Sequence, residues 1–206
     1  MHNGRLVNPM DPATKELARA YAEWKRLKTD EAFEELCRVE FTGSMYYYEP
    51  DGEVIGPYWP TDNLHACLKT AGAKIVKKGR TTFKNFVAAG LLPGESDINP
   101  LTYQGYGGPA PRDLTGLWAD RANYADTRPA RVGAPKVMRT RPVFRNWEFE
   151  APFILDTEVL SLDDLDRVLT LAGQVVGLGD WRPEKGGRRG RFTAEVTDHG
   201  EILAAA

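Results

Sequence analysis

A helical stripe that occurs twice constrains the fold of this chain more than any other feature. Leu64, Leu68, Ala71 and Gly72 are matched at one constant offset by Leu165, Leu169, Ala172 and Gly173, and both copies run on into a basic stretch that contains glycine. In the first copy Leu64, Cys67, Leu68 and Ala71 fall at i, i+3, i+4 and i+7, which makes one face apolar and assigns His65, Lys69 and Lys74 to the other. In the second, Leu162, Leu165, Val168, Leu169, Ala172 and Val176 form the stripe, and Ser161 with Asp164 three residues on reads as a capping box. The recurrence predicts that residues 38–92 and 136–197 superpose as two related strand-and-helix units.

The remaining segments fit around these helices. Pro12–Lys28 reads as a helix, because Asp11 can cap it, Pro12 suits its first turn, and Leu17, Tyr21 and Trp24 recur at helical spacing. A short helical piece, 30–36, leads into a predicted strand, 38–49, rich in β-branched and aromatic residues. The turn signal Pro50-Asp51-Gly52 then sends 53–59 back as the other arm of a hairpin. Pro60-Thr61-Asp62 starts the first repeated helix. Further strands are expected over 82–89, 136–144, 147–155 and 192–197, with Pro142 and Pro152 implying edge positions or bulges.

Between them, 93–135 holds six prolines and six glycines without a sustained period, which reads as a binding loop, a lid or a mobile segment anchored on the core by Tyr103, Tyr106, Trp118 and Tyr124. The expected organisation is an N-terminal helical segment (1–36), a first strand-and-helix unit (37–92), this loop region (93–135), and a second unit with its basic glycine loop (136–206). Residues 37–206 then form one domain of α+β class, a ferredoxin-like arrangement in which two duplicated half-domains share an antiparallel sheet.

Composition excludes several classes. An apolar share of 42% over 206 residues supplies a core for one large domain or two small ones. No run approaches the roughly 18 to 20 apolar residues of a membrane span, and the N-terminal stretch lacks the apolar centre of a signal peptide, so the expected location is cytoplasmic. Cys37 and Cys67 form no CxxC pair, and Cys67 falls on an apolar stripe, so buried reduced thiols are expected.

A net charge of −2 argues against a general binder of duplex DNA, but the charges are segregated. Lys69, Lys74, Lys77, Lys78, Arg80 and Lys84 follow one another with no acidic residue between them. Arg182, Lys185, Arg188, Arg189 and Arg191 form a second group against Glu184 alone, within Gly177–Phe192, which also holds five glycines. Glycine lets a backbone approach a ligand closely, and arginine presents a fork of donors matched to phosphate. These eleven cations and Trp181 are the candidate nucleic-acid-binding residues. In an extended loop Arg189 and Arg191 would face one way and Arg188 the other. Trp181 suits either a base-stacking role or the core. The competing reading is of two solvated loops.

With its Trp59-Pro60-Thr61-Asp62-Asn63-Leu64 lead-in to the first helix, and Gly177-Leu178-Gly179-Asp180 with Gly186–Phe192 near the C-terminus, the chain resembles the RAMP superfamily, the ferredoxin-like proteins that include backbone and processing subunits of CRISPR complexes. The resemblance implies RNA contact through a glycine-rich loop between the last helix and the last strand. The GLGDWRP element is also similar to that of uncharacterised bacteriophage-encoded proteins, which implies that the cytoplasm in question is that of a bacterial cell or a phage-infected host.

Catalysis finds little support. His2 and His199 lie near the ends, leaving His65 as the one credible general base for RAMP-type RNA cleavage, and HExxH, GKS/T and GxSxG patterns are missing. Asp163, Asp164 and Asp166 crowd a helix start, where the macrodipole accounts for them without metal. Gly177-Leu178-Gly179 follows a helix and precedes a strand, the reverse of a dinucleotide fingerprint. The expectation is therefore a protein without assigned catalytic residues, metal or cofactor, whose partner is single-stranded RNA or DNA. Its alternatives are a phage-type assembly protein or an inhibitor imitating a RAMP subunit, with protein subunits or its own copies as partners, and a RAMP-like endoribonuclease.

Overall fold

The computed structural model describes residues 6, 8–131 and 136–200. In chain order the elements are α1 (Pro12–Leu27), α2 (Asp30–Ser44), β1 (Tyr47–Tyr48), β2 (Gly56–Pro60), α3 (Thr61–Gly72), β3 (Val76–Lys78), β4 (Thr81–Thr82), α4 (Lys84–Gly90), β5 (Leu91–Pro93) and β6 (Ile98–Pro100). Then come α5 (Leu114–Ala119), α6 (Arg121–Tyr124), β7 (Ala125–Arg131), β8 (Lys136–Pro142), β9 (Phe153–Leu155) and α7 (Leu162–Leu171), which continues as a π-helical turn, Ala172–Val176. The protein is thus mixed α and β, with small antiparallel sheets. Its chain divides into two compact units, one of Met1–Tyr58 with Pro100–Phe149 and the other of Trp59–Asn99 with Glu150–Ala206. That division cuts across the expected succession of segments.

The first unit begins with an antiparallel helix pair. Asp11 caps α1 by accepting from the Ala13 N–H, with Pro12 in the first turn as expected, and Leu17 and Trp24 pack on Leu36 and Val39 of α2. Helix α2 is much longer than its predicted piece and absorbs most of the predicted strand 38–49. The Thr29 side chain accepts from Ala32, Asp30 and Glu31 occupy the favourable first turn, and Leu36, Val39, Glu40 and Gly43 are buried at helical spacing. Packing of that face overrides the strand propensity of its aromatic and β-branched residues. Only Tyr47 and Tyr48 remain as the hairpin arm, which turns at Pro50–Gly52 as expected and pairs with β2.

The supposedly irregular 93–135 stretch supplies the core of this unit. Leu101, Tyr103, Leu117 and Tyr124 join Phe41 and Met45 in one buried cluster, with Tyr106 and Trp118 packed against it. All four expected aromatic anchors therefore serve as core contacts. The Tyr103 and Tyr124 hydroxyls donate to the carbonyls of Pro111 and Gln104, so neither ring is buried with an unsatisfied polar end. Strands β7 and β8 form a two-stranded ribbon in continuous register from Ala125↔Pro142 to Arg131↔Lys136, where Pro142 is tolerated because every strand of such a ribbon is an edge.

In the second unit α3 packs against α4, α7 and the π-helical turn. The 82–89 strand expectation is corrected to helix α4, since Phe83, Val87 and Gly90 are buried at helical spacing. Of the predicted strand 147–155 only Phe153–Leu155 forms, pairing with β5 from Leu91↔Leu155 to Pro93↔Phe153, because Pro152 has no N–H to give a ladder. In the first unit Glu148 makes an isolated bridge with Thr102. Phe192–Thr197 is not a strand. Its chain instead crosses the end of α7, with the Phe192 N–H donating to the Gly173 carbonyl at 3.3 Å.

The duplication is also corrected. α3 follows β2 and α7 follows β9, which belong to different sheets, and the two helices pack on each other. The matched segments differ at their starts as well, since 38–44 is helix and 136–142 is strand. What Gly72 and Gly173 share is local. An added Cβ would stand 3.1 Å from the Phe83 carbonyl carbon in one case and 2.0 Å from the Phe192 oxygen in the other, so each glycine lets a returning chain pass close over a helix end.

Candidate nucleic-acid interface

Both basic stretches belong to the second unit. The first occupies the end of α3 and the β3–β4 hairpin, whose register is Val76↔Thr82 and Lys78↔Thr81 with Gly79 and Arg80 at the turn. Gly79 takes φ 60°, the left-handed value that this tight reversal requires. Lys74, Arg80 and Lys84 are exposed and Lys69 is half-buried, while the Lys78 side chain lies outside the described residues. Lys77 is exposed but engaged: its Nζ sits 3.6 Å from the centroid of Phe86 and 5.5 Å from that of Phe83. On Phe83 also lies the guanidinium of Arg167, at 5.6 Å, a cation that the sequence reading did not single out.

The second stretch is a loop closed on itself. Gly177, at φ 75°, ends the π-helical turn, and the Leu178 N–H donates to the Gly190 carbonyl at 2.8 Å. Further rungs run from the Gly187 N–H to the Arg182 carbonyl at 3.0 Å and from the Arg189 N–H to the Trp181 carbonyl at 3.1 Å. Gly190 is where this closure needs glycine most: its φ is 71°, and an added Cβ would lie 1.8 Å from the Leu178 carbonyl oxygen. The glycines therefore bring the loop's own backbone together.

Two of its arginines are engaged by the protein itself. Arg182 donates to Glu184 Oε2 from Nε at 3.2 Å and Nη2 at 2.9 Å, and to the Gly179 carbonyl from Nη1 at 3.1 Å. Arg191 donates to the Gln174 carbonyl. The guanidinium groups of Arg188 and Arg189 instead gather on Trp181, 5.5 and 5.7 Å from its ring. The expected alternation, with Arg189 and Arg191 paired and Arg188 opposite, is thus corrected, because Gly186 and Gly190 take left-handed φ and break the extended geometry it assumed. Trp181 is 41% exposed at φ 53°, and Lys185 is exposed beside it in the chain. An indole with two guanidinium groups offers a stacking surface and phosphate-matched donors in one place.

His65 is corrected from the polar face to the interior. It is 9% exposed, with Nε2 3.4 Å from the Val87 carbonyl oxygen and its ring tilted on Phe153, which removes it from reach of an external hydroxyl. Cys67 is also buried; its thiol donates to the Gly177 carbonyl at 3.4 Å, and burial pushes its pKa up to about 12. Both cysteines are free thiols, as the spacing implied. Among the described residues no group of three or more His, Cys, Asp and Glu side chains is placed to hold a metal ion, and no helix is long and apolar enough to cross a membrane. No protein-family model, curated protein or solved structure matches the chain.

Proposed function

We propose that the protein binds single-stranded nucleic acid through the second unit, with Trp181, Arg188 and Arg189 as the principal contact and Lys74, Arg80, Lys84 and Lys185 as further positive charge on the same unit. The observation that carries this reading is the convergence of two guanidinium groups on one exposed indole. A base can stack against such a ring while the arginines contact its flanking phosphates, and neither interaction selects a sequence. The likeness to the RAMP superfamily points to the same ligand class. Its ferredoxin-like arrangement is not required, since the cluster rests on one loop closed by its own backbone.

The test is gel filtration of the whole protein with a 20-nucleotide single strand of RNA or of DNA at low salt, read at two wavelengths. Co-elution of nucleic acid with the protein is expected. A protein peak free of nucleic acid would overturn the reading, and if it ran at the size of an oligomer the assembly reading would take its place.

A further inference from the structure

An open cleft of about 680 Å³ lies within the first unit, among α2, the α5–α6 segment and the β7–β8 ribbon. Its size falls in the range of small-molecule sites, roughly 300 to 1,000 Å³. Helical spacing brings Glu34, Cys37 and Phe41 of α2 to one side, at i, i+3 and i+7, and the first two line the cleft. Phe41 fixes the half-buried Trp118 that forms one wall, the two rings standing 5.4 Å apart at 53°. Ala122 and Ala125 continue that wall, and their small side chains leave room beside the indole for a flat group.

The deep end of the cleft carries polar atoms without charge. Cys37 and Thr140 are 8% and 2% exposed, and the Thr140 hydroxyl shares a 2.9 Å hydrogen bond with that of Thr127, its partner in the ribbon register. Burial raises the Cys37 pKa, which keeps the thiol protonated at neutral pH. The buried Glu40 adjoins this end, its Oε2 accepting from the Thr140 N–H, so a second anion placed here would be repelled. A neutral hydroxyl suits it.

The mouth, in contrast, carries both signs of charge. Arg121 Nη2 meets Glu34 Oε1 at 2.8 Å, and both side chains are about half exposed. An exposed pair of this kind is weak, so a ligand opens it at little cost. Opening leaves a cation and an anion side by side. A ligand with one charge satisfies one of them, whereas a carboxylate and an ammonium on the same carbon atom satisfy both.

We infer that this cleft binds a free aromatic α-amino acid of the tyrosine type, with its carboxylate on Arg121, its ammonium on Glu34, its ring beside Trp118 and its phenol at the Thr127–Thr140 pair. The site lies in the first unit and does not depend on the nucleic-acid reading of the second.

The experiment titrates the whole protein with L-tyrosine, followed by calorimetry and by NMR of the Trp118 indole N–H, whose resonance is assigned with Trp118→Phe. Saturable binding with a shift of that resonance is expected. Tyramine and para-hydroxyphenylpropionate, which each lack one of the two charges, should bind about tenfold more weakly or worse. Arg121→Gln and Glu34→Gln, both at exposed positions and so with unchanged circular dichroism, should weaken L-tyrosine to a similar degree. Thr127→Val should weaken L-tyrosine and spare L-phenylalanine. Three results would each overturn the inference: no saturable binding at millimolar L-tyrosine, equal affinity for tyramine, or wild-type affinity for L-tyrosine in either Arg121→Gln or Thr127→Val.

Discussion

Glu40 on α2 holds the β7–β8 ribbon by both carboxylate oxygens: Oε1 accepts from Arg139 Nη1 at 2.5 Å and Oε2 from the Thr140 backbone N–H at 2.8 Å. Glu40 is 3% exposed, so either partner lost leaves a charge with few alternatives. Arg139→Ala should lower stability by about 2–4 kcal/mol, toward the low end because the arginine is partly solvated. Denaturant unfolding of R139A, E40A and the double variant tests this. A double variant no less stable than R139A alone would show the coupling that the geometry implies.

The buried thiol of Cys67 gives a prediction with a sign. Its folded pKa is raised to about 12, above the ordinary value near 8.5, so between these pH values the folded state holds a proton that the unfolded state releases. Stability should therefore fall as pH rises through that window. In a Cys37→Ser background, a thiol reagent at pH 8 should leave Cys67 unmodified until denaturant is added. Prompt modification of the native protein would place the thiol at the surface.

Two glycines of the C-terminal loop separate backbone conformation from crowding. Gly186 takes φ 75° with open space where a Cβ would stand, so Gly186→Ala should cost about 1–2 kcal/mol. Gly190 adds the Leu178 carbonyl at 1.8 Å, and Gly190→Ala should cost more and also open the Leu178–Gly190 rung. Thermal unfolding ranks the two variants, and exchange of the Leu178 amide reports the rung.

Helix beginnings and turns were legible in the sequence because they depend on local chemistry. Asp11 and Ser161 cap where expected, Pro60 precedes α3, and Pro50-Asp51-Gly52 reverses the chain. Strand expectations failed where local propensity met a packing demand. Arg38–Ser44 is helical because Leu36, Val39, Glu40 and Gly43 are buried at helical spacing, and Phe83 with Val87 does the same for α4. The repeated Leu, Leu, Ala, Gly pattern reflects two helices with a similar crossing at their ends, not two similar units. In the candidate site the composition located the basic loops. It could not foretell that Arg182 and Arg191 would turn to Glu184 and Gln174 while Arg188 and Arg189 met at Trp181, because those choices depend on backbone conformations at Trp181, Gly186 and Gly190.

The most direct test of the central claim is the salt dependence of single-strand binding by the wild type and by the Arg188→Ala, Arg189→Ala double variant, read as fluorescence anisotropy of a labelled 20-mer. About 0.7 counterions are released per phosphate contact on a single strand, so losing two contacts should reduce the slope of log affinity against log salt by about 1 to 2. The account predicts that reduction, a loss of affinity of similar size for unrelated sequences, and an unchanged unfolding midpoint. Equal affinity and slope in the double variant, or no binding by the wild type at low salt, would contradict it.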